Sequence, residues 1–243
     1  MTALHHSAGI VHSARTVAGL LLADLPERWR HTAGVARQAA KVSRAASPAD
    51  VDYLLAAAWL HDVGYAPSLR GFGFHPLDGA RYLRAHGWPS RISSLVAHHS
   101  EALTVAEVRG LGSELAAFPR ERSAASDALT FADQTVGPGG RIMSVDERLA
   151  DMLRRHGPDS PNAAVHPPRA AQIRAAARRV KHRLAAEALP ARYAPEAEGP
   201  LLFPVTANAV PGARSEIRAA ADVSHLRTGD PDCGDRDEFA DQR

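Results

Sequence analysis

Apolar residues along this chain recur at helical rather than alternating spacing. Val51, Leu54, Leu55 and Ala58 share one face of a predicted helix that runs into His61 and Asp62. A second stripe is formed by His31, Val35, Ala39 and Val42, following Pro26 in a first helical turn. Leu129, Asp133 and Val136 form a third. The spacing predicts helices at 26–45, 50–62, 76–86, 89–99, 121–136, 144–156 and 168–187, and a short apolar run, Val17 to Ala23, predicts a further short helix packed on the bundle. Residues 63–75, "VGYAPSLRGFGFH", read as a loop overhanging the helix ends, with Gly64 stopping the preceding helix. Phe72 and Phe74 in that loop pack beneath it or stack on a nucleobase. Gly137-Pro138-Gly139-Gly140 is a strong break, after which Ser144 and Glu147 form a capping box. No alternating β-branched run appears, so the predicted class is all-α.

Polar residues interrupt the apolar stripes at few places. His31, His61, Asp62 and Asp133 all fall at inward positions with no obvious neutralising Arg or Lys on their own stripes. Buried imidazole and carboxylate groups are costly unless paired or coordinated, and one divalent metal would account for all four. His75 stands at the start of a helix opened by Pro76, where the helix dipole favours the neutral, metal-binding imidazole. Gly79, one turn on, permits close backbone approach. His98 and His99 end the stripe of Ile92, Leu95 and Val96. Spacing alone favours His99, which lies two turns beyond Ile92.

The ordered set His31, His61-Asp62 and Asp133, with "WLHDVGY" closing an apolar helix, resembles the HD-domain superfamily of metal-dependent phosphohydrolases from about His31 to Gly140. That resemblance implies an HD-type helical bundle. It also implies a first metal held by His31, His61, Asp62 and Asp133. A second ion would be held by His75 and His98, with Asp62 as the bridge; the resemblance thus selects His98 where spacing favours His99. Asp62 and His75 become the catalytic residues, and one or two divalent ions (Fe, Mn, Ni or Zn) the cofactor. Metal-activated water would cleave a phosphoester or phosphoanhydride of a small nucleotide-like substrate. A metal-binding sensor without turnover and a di-iron oxygenase of HD fold are the alternatives.

The chain also departs from HD patterns. Some subfamilies carry Lys three residues after the doublet; here Tyr65 stands there, able to donate a hydrogen bond to phosphate but without charge. Ser100-Glu101-Ala102-Leu103 replaces the Gly-Tyr-Pro signature of the cyclic-dinucleotide phosphodiesterases. The nearest likeness is to small stand-alone HD hydrolases, including diadenosine-tetraphosphate hydrolases. Substrate phosphate is assigned to Tyr65, Arg37 and Arg141, with Arg70 a further candidate. Asp78 and Glu101 are read chiefly as cap or surface residues, with orientation of the histidines as the alternative.

Composition narrows the partners. With 29 Lys and Arg against 27 Asp and Glu, no global field draws the chain to nucleic acid. The helix from Pro168 buries Ile173, Ala177, Val180 and Leu184, while Arg169, Arg174, Arg178, Arg179, Lys181 and Arg183 form its basic, solvated face. The single cysteine, Cys233, fits a reducing compartment, and without a membrane span or leader signal a cytoplasmic location is expected. The predicted organisation is an N-terminal helical extension (1–25), the HD metal-binding domain (26–157), the basic amphipathic helix (158–187) and a Pro-rich tail (188–243) expected to be disordered, whose run Leu201 to Val205 docks back on the domain.

Overall fold

A computed structural model describes residues 2–186, with side chains from residue 9 onward. The tail expected beyond residue 187, its docking segment and Cys233 lie outside the described residues. Among the described residues the fold is all-α, as the periodicity predicts. The helices are α1 (Thr2–Leu21), α2 (Pro26–Val42), α3 (Val51–Leu60), α4 (His75–Ala85), α5 (Ser90–His98), α6 (Ala102–Val108), α7 (Gly112–Ala116), α8 (Ala124–Asp133), α9 (Val145–His156), α10 (Pro161–Ala164) and α11 (His166–Ala186). No described helix is long and apolar enough to cross a membrane.

α3 is the centre of the bundle. Leu54, Ala56, Ala57, Ala58 and Leu60 are fully buried, because α1, α2, α5 and α8 all pack against it. Alanine on three successive positions removes side-chain bulk and lets neighbouring helices approach from several directions. Trp29 of α2 stacks on Trp59 of α3 with ring centroids 5.5 Å apart, joining these two helices at the level of the candidate site. α1 is longer than the short helix predicted for residues 17–23, and its Ala14 and Ala18 side enters the core together with Leu22 just beyond its end.

Three glycines set backbone distances. Gly64 does not act as a left-handed helix stop: α3 ends at Leu60, and Gly64 lies in a 3-10 turn, Val63–Tyr65. Its role is close approach, since a Cβ there would stand 2.1 Å from the His75 carbonyl oxygen and 2.6 Å from Gly79 N. Gly34 of α2 similarly admits the loop of residues 137–141, with Gly140 Cα 3.0 Å from its hypothetical Cβ. That loop is closed by an isolated bridge between Val136 and Ile142 and by Gly140 at φ +80°.

α8 and α9 both begin with a capping box. Ser123 pairs with Ser126 on α8, and Ser144 with Glu147 on α9. α11 packs on α8 through its predicted stripe, with Ile173, Ala177 and Val180 buried. Its other face is less solvated than predicted. Arg179 and Arg183 both bond to Asp127, at 2.6 and 2.8 Å, Arg174 pairs with Asp146, and Arg169 donates to the Ser100 carbonyl.

Candidate metal centre

The first two turns of α2, the ends of α3 and α8, the start of α4 and the turn after α5 converge on one point. His31 and Arg28 project from α2, His61 and Asp62 from the end of α3, His75 from the start of α4 and Asp133 from the end of α8. The structure thus brings His31, His61, Asp62, His75 and Asp133 together. His98 is not among them.

His98 is a correction to the ligand set. Its Nε2 donates to the Phe118 carbonyl at 2.8 Å, and it lines a separate cavity of about 370 Å3 beside Arg120, Arg179 and Arg183. His99 takes the place beside His75, with their Nε2 atoms 3.3 Å apart. The chain turns sharply here. α5 ends at His98, and Ser100 and Glu101 follow at φ 50° and 60°, left-handed values that cost a non-glycine residue about 1–2 kcal/mol each. The turn is held by contacts: Ser100 Oγ donates to Asp133 Oδ2, its N–H reaches Thr130 Oγ1, and Glu101 pairs with Arg120.

The imidazoles share one orientation. Nδ1 of His31 donates to the Gly137 carbonyl (3.1 Å), that of His61 to Ala58 (2.9 Å) and that of His99 to Val96 (2.6 Å). Each bond fixes the tautomer and aims Nε2 at the carboxylates, the arrangement that orients imidazole ligands in metal sites. His61 Nε2 is fully buried and makes no hydrogen bond among the described residues.

Asp62 faces two ways. Its Oδ2 is 3.3 Å from His61 Nε2 and 3.6 Å from His31 Nε2, while Oδ1 is 3.4 Å from His75 Nε2 and 4.0 Å from His99 Nε2. Asp133 Oδ1 lies 3.0 Å from His31 Nε2 and 3.8 Å from His61 Nε2. Two groups therefore have one ligand atom each within 4.8 Å of the others: His31, His61 and Asp133, and Asp62, His75 and His99. The orphaned His61 nitrogen, the buried carboxylates and the mixed imidazole and carboxylate donors fit one or two divalent transition-metal ions.

The electrostatics favour a bound cation. Burial alone would raise the carboxyl of Asp62, but His61, Arg28 and His75 outweigh it and hold the group well below the usual carboxylate range. Asp133 follows the same pattern, with burial opposed by His31, His61 and Arg148. Burial lowers the proton affinity of His61, yet the attraction of Asp62 and Asp133 reverses this and raises it. The two carboxylates that would attract a metal thus also attract a proton. His99 is lowered by burial and then by His61, which keeps it in the neutral form a ligand requires.

Arg28 corrects the reading of an unneutralised stripe. It lies one turn before His31 on the same face of α2, is buried, and donates from Nη1 to Asp62 Oδ2 at 2.8 Å. Its guanidinium covers the Tyr65 ring at 3.6 Å, and the other face of that ring stacks on His75 at 4.0 Å. Tyr65 therefore stands beside positive charge although it carries none.

The assignments of Arg37 and Arg141 to substrate phosphate are also corrected. Both side chains are exposed and neither lines the cavity above the cluster, because Arg37 points outward from α2 and Arg141 lies past the glycine loop. Arg70 is exposed on the overhanging loop and is likewise absent from the lining. The cavity is about 80 Å3 and its cations are Arg28, Arg109, Arg148 and Arg169. Tyr65 does line it. Asp78 accepts from the backbone N–H groups of Gly71, Phe72 and Phe74, and so fixes the loop preceding His75 rather than a histidine.

A signal for Arg28 was present in the helical spacing, one turn from His31. Arg148 had no such signal, since its place at the site depends on how α9 folds back over the cluster. His99 carried the spacing signal that the family likeness overrode.

The family model for the HD domain matches residues 28–182. Neither the curated proteins nor the solved structures yielded a match to the chain.

Proposed function

Because the chain belongs to the HD domain family, we propose that it is a metal-dependent phosphohydrolase cleaving a phosphoester or phosphoanhydride of a small nucleotide-like molecule. The observation that carries this reading is the two-sided Asp62, whose oxygens face separate pairs of imidazole nitrogens at the floor of an arginine-lined cavity. In this reading His31, His61 and Asp133 would hold one divalent ion and Asp62, His75 and His99 would hold another. Fe, Mn, Ni and Zn all suit the donor set. Bound ions supply a water of lowered pKa and positive charge against the phosphoryl oxygens.

The protein's own groups do the rest. Hydrogen bonds from Nδ1 to backbone carbonyls hold His31, His61 and His99 in place, so little reorganisation is needed when an ion or substrate arrives. His61 and Arg28 keep Asp62 ionised, and Arg28 also covers Tyr65, whose hydroxyl is one of the substrate-binding groups predicted from sequence. The loop fixed by Asp78 carries Phe74, which helps to wall the cavity from water.

The test is to strip the purified protein of metal, reload it with manganese, iron, nickel or zinc, and assay a broad panel of phosphate compounds. Turnover that is lost in Asp62→Ala supports the proposal. Fully folded, metal-loaded protein with no activity across the panel refutes it, and a co-purified phosphate compound that remains unhydrolysed would point to a sensor.

A further inference from the structure

Arg148 is a buried cation whose charge helps to hold the Asp133 carboxyl low, yet whose guanidinium is poorly hydrogen-bonded in the folded chain. It projects from α9 into the cavity above the cluster and is 6% exposed. Its Nε and Nη1 make no hydrogen bond among the described residues. The nearest carboxylate, Asp151 Oδ2, lies 3.5 Å from Nη1, beyond good hydrogen-bond geometry. That carboxylate is already satisfied: Oδ1 accepts from Arg154, and Oδ2 accepts from Arg155 Nε at 2.9 Å. Three guanidinium groups thus surround one carboxylate, and the innermost, whose Nε and Nη1 are buried and unsatisfied, belongs to a side chain that lines the cavity. Leaving buried charged donors unpaired is costly, which points to an anionic partner that enters from outside.

The aromatic groups around the cavity give the complementary observation. Both faces of Tyr65 are taken, one by Arg28 and the other by His75. Phe74 is buried with Arg109 against its ring at 5.2 Å, and Phe72, with Arg81 at 5.0 Å, does not line the cavity at all. Neither of the two phenyl-ring residues on the wall offers a face to a base. The space is small as well, about 80 Å3.

We infer that the cavity selects its substrate by the phosphoryl group alone, gripped by Arg148, and does not read a nucleobase. The substrate class is then any compact phosphomonoester or phosphoanhydride whose phosphoryl end enters the cavity while its leaving group stays outside. The inference rests on the proposed phosphohydrolase reading.

Binding rather than turnover tests it. The full-length, manganese-loaded chain is titrated calorimetrically with inorganic phosphate, with bound metal measured alongside. The wild type binds phosphate, and Arg148→Met weakens binding at least tenfold with bound metal and thermal stability preserved. Arg148→Gln, which keeps most of the volume and a donor, carries the same expectation if the methionine variant does not fold. The α,β-methylene diphosphates of adenosine, guanosine, cytidine and uridine bind within threefold of one another. No phosphate binding by the wild type, a loss smaller than tenfold in the folded Arg148 variant, or a wider spread among the four nucleotides overturns the inference. Absence of turnover with Arg148-dependent phosphate binding intact would defeat the hydrolase reading and leave this one standing.

Discussion

Replacing Gly64 by alanine places a single methyl group where two backbones meet. Its Cβ would lie 2.1 Å from the His75 carbonyl oxygen, 2.6 Å from Gly79 N and 2.8 Å from the His75 carbonyl carbon. These are roughly 1 Å inside ordinary contact, and none belongs to a side chain that can rotate away. Relief requires α4 to move as a unit away from the turn that carries Asp62. Overpacking typically costs about 1–3 kcal/mol, and a backbone clash belongs at the upper end, so a loss of about 3 kcal/mol is expected. At this chain size that corresponds to a fall in Tm of roughly 6–12 °C. The same movement separates His75 Nε2 from Asp62 Oδ1, now 3.4 Å apart, so the ion assigned to Asp62, His75 and His99 is lost before the other. Urea unfolding and metal analysis of the reloaded protein measure both effects. Gly9→Ala is the control: a Cβ there meets nothing within 4 Å on a helix, and the change stabilises by about 0.5–1 kcal/mol. A Gly64→Ala protein within about 1 kcal/mol of wild type and carrying its full metal would refute the reasoning.

Other substitutions separate the roles of neighbouring groups. His99→Ala should lower bound metal by about one ion, whereas His98→Ala, which removes only the bond to Phe118, should leave it unchanged; equal losses in the two would return His98 to the ligand set. Arg28→Met leaves Asp62 buried without its guanidinium, at a cost of about 3–5 kcal/mol in metal-free protein. Manganese should recover much of that loss by supplying the missing charge, and denaturation curves with and without metal would show whether it does. Ser144→Ala removes the cap of α9 and should cost about 1 kcal/mol. Calorimetric melting detects it, and an unchanged melt would mean that the capping box adds nothing in this context.

The long helices were legible because each combines an apolar stripe with a recognisable end. Pro26, the Ser144 and Glu147 pair and the glycine run after Asp133 all mark boundaries that the structure respects within a few residues. α6, α7 and α10 were missed: at one to two turns each, they are too short for periodicity to emerge. The inward placement of His31, His61, Asp62 and Asp133 was equally legible, since each ends or interrupts a stripe. The choice between His98 and His99 was half legible, since spacing from Ile92 favoured His99. The left-handed backbone at Ser100 and Glu101 that turns the chain just after the pair is held by Asp133, Thr130 and Arg120 from distant parts of the chain and leaves no mark in the local sequence. The cavity's arginines were illegible for a similar reason. Arg37 and Arg148 look alike in sequence, and only the way α9 returns over the cluster distinguishes an exposed cation from a buried one.

The Nδ1 bonds to the Gly137, Ala58 and Val96 carbonyls have a consequence for how the site withstands sequence drift. Where an acidic side chain orients a metal-binding histidine, one point mutation can delete the orienting group. Here the orienting groups are main-chain oxygens, which every residue possesses. Ala58 and Val96 can be exchanged for other residues of fitting size without removing the acceptor. The aim of His61 and His99 is therefore inherited with the path of the backbone, and neutral substitution around the cluster can proceed while the three imidazoles keep their direction.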